Sequence, residues 1–255
     1  MTNPSQKIQQ AQQLLREARG ELGTAIKSER SRKRGELNRL AHLATSMLGE
    51  SNLFFSQSGQ DRLVDSLLGG KTGGVFVDIG GYDGVTGSNT LFFEMFRKWS
   101  GIVVEPSPTQ LRLANAARNV PVLGFAVAGQ SGQAEFLEVT SGYTQMSGFL
   151  DSYDAKLLEK VRANPKHREV LHKLDKKTLG EILGDQDITK VDFLSLDVEG
   201  GEMGILESFD FNAFDVDIWT IENNTQSSDL PNFMRSKGYN LVEFAGVDDI
   251  FRKIR

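Results

Sequence analysis

The sequence predicts an α/β protein whose mostly parallel sheet is covered by helices on both faces. Three observations carry that expectation. From residue 51 onward, short β-rich runs alternate with helical runs, the order from which parallel sheets are built. The 255 residues are 39% hydrophobic, enough apolar mass for a sizeable core. The first strand runs into FVDIGGYDGVTGSNT at 76–90, whose glycines crowd too closely for a strand interior and let a ligand approach the main chain.

The chain divides at about residue 50, with 1–50 a basic helical extension and 51–255 the main domain. Ile8, Ala11, Leu15, Ala18, Leu22 and Ala25 recur at three- and four-residue spacing and form one helical stripe. A second apolar face resumes with Leu37, Leu40, Ala41, Ala44, Met47 and Leu48. Self-association into a homodimer through this helix is one reading; packing on its own domain is the other, since three heptads are marginal for an independent coiled coil. Residues 1–49 carry nine Lys/Arg against four Glu, so against a total of −5 the remaining chain is near −10. The basic run KSERSRKRGELNR has no interleaved aromatic residue for base stacking, so no nucleic-acid partner is expected.

In the main domain, strands are expected at 74–80, 101–106, 120–129, 133–139, 191–198, 216–223, 239–245 and 249–254. Helices are expected at 59–68, 88–98, 108–118, 152–162, 175–183, 201–207 and 228–237. Only a few residues around Gly246 separate the last two strands, which should therefore pair as an antiparallel hairpin. No stretch of about 18 apolar residues occurs, and the N-terminal residues lack the apolar centre of a signal peptide, so no membrane span is expected and cytoplasm is the expected compartment. The absence of cysteine removes disulfides, a thiolate nucleophile and thiolate zinc sites together.

Ligands of such sheets bind beyond the carboxyl ends of the strands, where strand order reverses. Asp78 closes the first strand, Gly80 and Gly84 permit close approach, and Ser88 or Asn89 can cap the following helix. The spacing is neither G-x-G-x-x-G nor G-x-x-x-x-G-K-[ST], which disfavours an NAD-dependent oxidoreductase and leaves nucleotide hydrolysis without support. The second strand ends in VVEPSP, with Glu105 27 positions after Asp78, where an acid accepts both ribose hydroxyl protons in doubly wound folds. Together the turn and this glutamate point to an adenosine-bearing ligand.

FVDIGGYDGVTGSNTLFFE, WSGIVVEP, DFLSLDVEGGEMGILES and IENN, preceded by FSQSGQD at 55–61, occur in that order over some four-fifths of the chain. This set resembles the S-adenosylmethionine-dependent methyltransferases of the FkbM family, which O-methylate sugars and natural products. The resemblance implies a Rossmann-like methyltransferase fold with a seven-stranded sheet, S-adenosylmethionine as donor, and a small-molecule or glycan hydroxyl as acceptor. By position it implies that Asp78, Gly80 and Gly84 surround the methionine part, with Ser88 and Asn89 nearby, that Glu105 holds the ribose, and that Phe125 and Ala126 flank the adenine. Gly81 and Tyr82 depart from the expected turn residues, and Tyr82 would reshape the pocket wall.

Methyl transfer needs an acceptor oxygen placed in line while it loses its proton. SLDVEGGE puts Asp197 and Glu199 at one strand end, and TIENN puts Glu222, Asn223 and Asn224 at the next. The pattern is similar to that of catechol O-methyltransferases, which implies Mg²⁺ on Asp197, Glu222 and Asn223. The metal-free alternative has Asp197 contacting cofactor or acceptor and Glu199 as general base, leaving Asp197, Glu199 and Glu222 as the catalytic candidates. Glu199 and Glu202 could equally decorate a helix N-terminus. His167 and His172 lie in NPKHREVLHKL, read as a helix-like or loop segment able to fold over the site, while His42 reads as structural. TSGYTQMSGFLDSY at 140–153 reads as a mobile loop whose Tyr143, Gln145, Met146 and Tyr153 could line a sugar pocket. The competing class is a catalytically silent binding or scaffold protein, against which the strand-end acids Asp78, Glu105, Asp197 and Glu222 argue.

Overall fold

The computed structural model describes residues 3–50, 53–150, 155–198 and 200–254. Its centre is a seven-stranded sheet in the order β10-β11-β9-β8-β1-β2-β3. The central strands β1 (Val75–Ile79), β2 (Ser100–Val104), β8 (Lys190–Leu196) and β9 (Asp215–Glu222) are parallel, and β10 (Tyr239–Ala245) and β11 (Asp248–Lys253) form the antiparallel hairpin expected at the end. β1, β2 and β8 are mostly apolar and almost wholly buried because helices cover both faces. On one face, Val77, Ile102, Leu194 and Trp219 join a core under α7 (Leu179–Asp185), α8 (Glu202–Ser208) and α9 (Asp229–Ser236). On the other, Phe76, Val103, Phe193 and Ile218 pack with Val64 of α3 (Gln60–Leu67) and Phe92 and Phe93 of α4 (Leu91–Arg97).

The expected strand at 120–129 is two short strands in different sheets. β3 (Val122–Leu123) pairs with β2, the chain turns at Gly124, and β4 (Ala126–Val127) pairs elsewhere. β4 belongs to a second sheet ordered β4-β7-β5-β6, built on the ten-residue strands β5 (Gly132–Ser141) and β7 (Arg168–Lys177), with β6 (Gly148–Phe149) at its edge. β7 corrects two expectations at once. The segment read as a helix-like or loop cover is a strand, and the helix placed at 175–183 begins only after Thr178, whose capping box with Glu181 starts α7. Pairing with β5 along its whole length, rather than local propensity, makes β7 a strand.

The N-terminal helices are α1 (Pro4–Ser28), started by Asn3 and Gln6 as a capping box, and α2 (Lys33–Met47). None of α1 is buried. α2 is docked on β10: Asn38 donates to Phe244 O at 2.9 Å, and Arg34 pairs with Glu243. Arg32 also donates to both oxygens of the buried Asp249, at 2.6 and 2.8 Å. No helix among the described residues is long and apolar enough to cross a membrane.

Candidate active site

The strand order reverses between β2-β1 and β8-β9, and a cavity of about 140 Å³ opens beyond the carboxyl ends of these strands. Gly80 sits at its base with φ +87°, and a Cβ there would overlap Asp197 O. Only glycine lets the turn after β1 pass so close to the end of β8. Asp197 N–H donates to Ile79 O at 3.0 Å, fixing that approach, and both Gly80 and Asp197 line the cavity.

Glu105 forms the wall opposite. It follows β2, is buried, and accepts from Ser107 N–H and Tyr82 N–H, both at 2.8 Å. Burial pushes its carboxyl up to about 7, against the two N–H donors and with help from the negative charges of Asp78 and Glu138. The same wall carries α5 (Pro108–Ala117), capped by Ser107. That cap aims Gln110 into the cavity, where its Oε1 is buried without a hydrogen-bond partner. Behind it, Glu138 of β5 accepts from Ser107 Oγ at 2.7 Å and Thr109 N–H at 2.8 Å and contacts His172 Nε2 at 2.7 Å. Burial would raise the Glu138 pKa, but these bonds outweigh it and hold it low.

Tyr82 joins the turn to the second sheet. It is a non-glycine residue at φ +49°, its main chain on Glu105 and its hydroxyl 2.7 Å from Thr144 Oγ1. Thr144, Gln145, Ser147 and Phe149 therefore close one side of the cavity, with Phe125 and Phe136 as apolar walls.

The other site candidates lie outside that lining. Asp78 is fully buried on the opposite face of the sheet, where Thr90 Oγ1 donates to it at 2.5 Å and Arg118 lies 3.8 Å away. Its pKa is raised by burial against these partners. Gly84, at φ +81°, packs against Ala114 and Arg118 of the α5 side. The N-cap of α4 is Thr90, without a side-chain cap bond, rather than Ser88 or Asn89. Just ahead of it Ser88 Oγ accepts from Thr90 N–H and Leu91 N–H at 3.3 and 3.1 Å, and Asn89 donates to Ser195 Oγ at 2.9 Å. Phe125 and Val127 face the cavity, whereas Ala126 between them is turned into the core. Met146 packs with Leu137 and Val161, and Tyr143 is half exposed. His167 and His172 are bound to Glu169 and Glu138 rather than brought to the cavity. Glu199 and Tyr153 lie outside the described residues.

Of the three expected magnesium ligands, Asn223 is engaged elsewhere. Asn223 donates to Asp249 Oδ2 at 2.9 Å and its carbonyl oxygen accepts from Ser227 N–H at 3.1 Å, so both ends of the amide shape the turn after β9. Glu222 is placed beside Asp248 in the ladder. Among the described residues no group of three His, Asp or Glu side chains is arranged to hold a metal.

Sequence reasoning missed Gln110, Thr144, Phe149 and Arg118. Gln110 was within reach, since Ser107-Pro108 starts a helix and sets Gln110 in its first turn beside the strand end. Arg118 carried no local signal. Its guanidinium is buried and donates to Glu94 at 2.5 Å, Thr90 Oγ1 at 3.0 Å and Gly84 O at 3.3 Å, holding the glycine turn to α4 and α5.

Residues 78–241, from the end of β1 into β10, match the methyltransferase FkbM domain. The chain belongs to the FkbM methyltransferase family. Among solved structures it is similar to the methyltransferase FkbM of Methylobacillus flagellatus KT, with 12% identity and a TM-score of 0.49 over 91% of this chain and 57% of that one. The FkbM chain described here thus spans a little over half the length of that protein. It is also similar to a TehB-like SAM-dependent methyltransferase of Corynebacterium glutamicum ATCC 13032 Kitasato, with 11% identity and a TM-score of 0.41 over 84% of this chain and 96% of that one. No curated protein matches the chain.

Proposed function

We propose that this FkbM-family protein is an S-adenosylmethionine-dependent O-methyltransferase acting on a hydroxyl of a sugar, glycan or natural product. The observation that carries the reading is the pairing, in one cavity, of the buried Glu105 carboxylate with the unpartnered Gln110 Oε1. A buried acceptor without a donor costs about 1–3 kcal/mol, so Gln110 Oε1 favours a donor from a ligand, and Glu105, with one N–H on each oxygen, keeps lone pairs for further donors. Ribose hydroxyls suit Glu105, and an adenine amine between Phe125 and Phe149 suits Gln110. When bound, S-adenosylmethionine supplies an electrophilic methyl group.

Asp197, which lines the cavity with Glu105, is the group that would orient the acceptor hydroxyl and hold its proton, with Glu199, two positions on in the sequence, as the alternative base. No step is assigned to Mg²⁺, because Asn223 is committed to Ser227 and Asp249. The test is calorimetric titration with S-adenosylmethionine and S-adenosylhomocysteine, with and without Mg²⁺. Micromolar binding, unchanged by Mg²⁺ and weakened at least about tenfold by Glu105→Ala, is expected from the loss of a charged acceptor. Asp197→Asn should then keep cofactor affinity and lose methyl transfer to a panel of sugar hydroxyls. No binding to either ligand would turn the reading to a scaffold.

A further inference from the structure

We propose that the open edge of β7 pairs with β7 of a second copy of this chain, antiparallel and centred on Leu171, joining the two second sheets into one. β4 covers β7 only at Lys176 and Lys177. Over 168–175 the side of β7 away from β5 has no strand partner among the described residues. Main-chain groups alternate in direction along a strand. Ala128 N–H donates to Lys177 O at 3.1 Å, so Lys177 faces β4, and counting back by twos Lys173, Leu171 and Glu169 face the same way, toward the edge. Arg168 O gives the same phase, since it accepts from Thr140 Oγ1 of β5 at 3.3 Å and points oppositely. An unpaired edge of this kind, free of proline, is a template for another strand.

Charge selects the register. With Leu171 opposite itself, Glu169 of each copy faces Lys173 of the other, twice by symmetry, and Val170 faces His172. Centring on His172 would instead oppose Glu169 to Asp175, two like charges. Glu169 is held in place within its own chain by Arg162 and His167, both at 2.7 Å, and Lys173 is exposed. Val170 and Leu171 are 45% and 49% exposed, a large apolar pair for an unpartnered edge. Leu171 stands across from Leu137, which belongs with Val139 and Val161 to the second sheet's small core. Self-pairing would extend each copy's cluster into the other's and add about six main-chain hydrogen bonds across an isologous contact.

Light scattering and sedimentation equilibrium on the full chain should give twice 28.2 kDa. Lys173→Glu creates two like-charge pairs and should weaken the dimer about tenfold with an unchanged circular dichroism spectrum. Because the chain has no cysteine, Leu171→Cys provides a lone thiol. Directly opposed residues of an antiparallel ladder lie about 5.5 Å apart at Cα, within disulfide reach, so mild oxidation should cross-link this variant rapidly. Leu113→Cys, on the exposed side of α5, is the collision control. A monomer at high micromolar concentration would overturn the proposal. So would equal cross-linking rates at 171 and 113, or a dimer indifferent to Lys173→Glu, which would assign the contact to another surface.

Discussion

At the carboxyl end of the parallel sheet, Arg118, Asp78 and Glu105 are buried and each is answered by fixed partners, whereas along β7 the charged side chains lie mostly in solvent, where Glu169 meets Arg162 and Lys177 meets Asp185. The two regions differ in what stands behind them. The parallel sheet has apolar clusters on both faces, while the second sheet rests on Leu137, Val139 and Val161 with a few half-buried neighbours. Polar groups in the first region cannot relax when a partner is lost, and those in the second can turn to water. The candidate site lies where the two meet, with Gly80, Glu105 and Asp197 from the rigid side and Thr144 to Phe149 from the other. Tyr82 is the link between them.

The largest expected effect is on the rigid side. Arg118→Ala leaves Asp78 and Glu94 buried without their cation and should cost about 3–5 kcal/mol. That corresponds to a fall in Tm of roughly 6–20 °C in a scanning calorimeter. His172→Ala in the second sheet leaves Glu138 its bonds from Ser107 and Thr109 and should cost under about 1 kcal/mol. An equal loss for both would erase the contrast.

The next effect reads burial through pH. The Glu105 carboxyl is raised from 4.5 to about 7, so its folded form binds a proton more tightly than its unfolded form. It therefore destabilises the protein progressively as pH rises from about 4.5 through 7, by about 2–3 kcal/mol between pH 5 and 8. Glu105→Gln removes this dependence but spoils one of two N–H contacts, at about 1 kcal/mol. In urea titrations the variant should be less stable than the parent at pH 5 and more stable at pH 8; parallel curves would show that Glu105 is not desolvated.

The smallest effect sharpens the role of the link. Tyr82→Phe keeps the main-chain bond to Glu105 and deletes only the hydroxyl contact to Thr144, costing about 0.5–1.5 kcal/mol. Cofactor affinity should change less than about threefold, a shift under 1 kcal/mol, while protection of residues 142–149 from hydrogen exchange falls. Unchanged protection would mean that the loop is held by Met146 and Phe149 packing alone.

The strands β1, β2, β8 and β9 were legible because burial on both faces demands apolar runs that local composition displays, and β10 and β11 because two β-rich runs flank the short turn at Gly246. The turn at Gly80 and the acid at Glu105 were legible for a related reason: a sharp glycine turn and a charge at a strand end are unusual locally. β7 was not legible, because its residues alternate against solvent and become a strand only by pairing with β5, 34 residues away at the Glu138–His172 contact. Nor was the fate of Asp78, since alternation along β1 turns its side chain, like that of Phe76, to the Arg118 side while Ile79 faces the cavity. The sequence by itself determined the parallel sheet, its final hairpin, the glycine turn and the family. Only tertiary structure decided which acids share the cavity, that Asn223 serves a turn, and that Tyr82 ties the two sheets together, because each depends on contacts between residues distant in the chain and on which face of a strand they occupy.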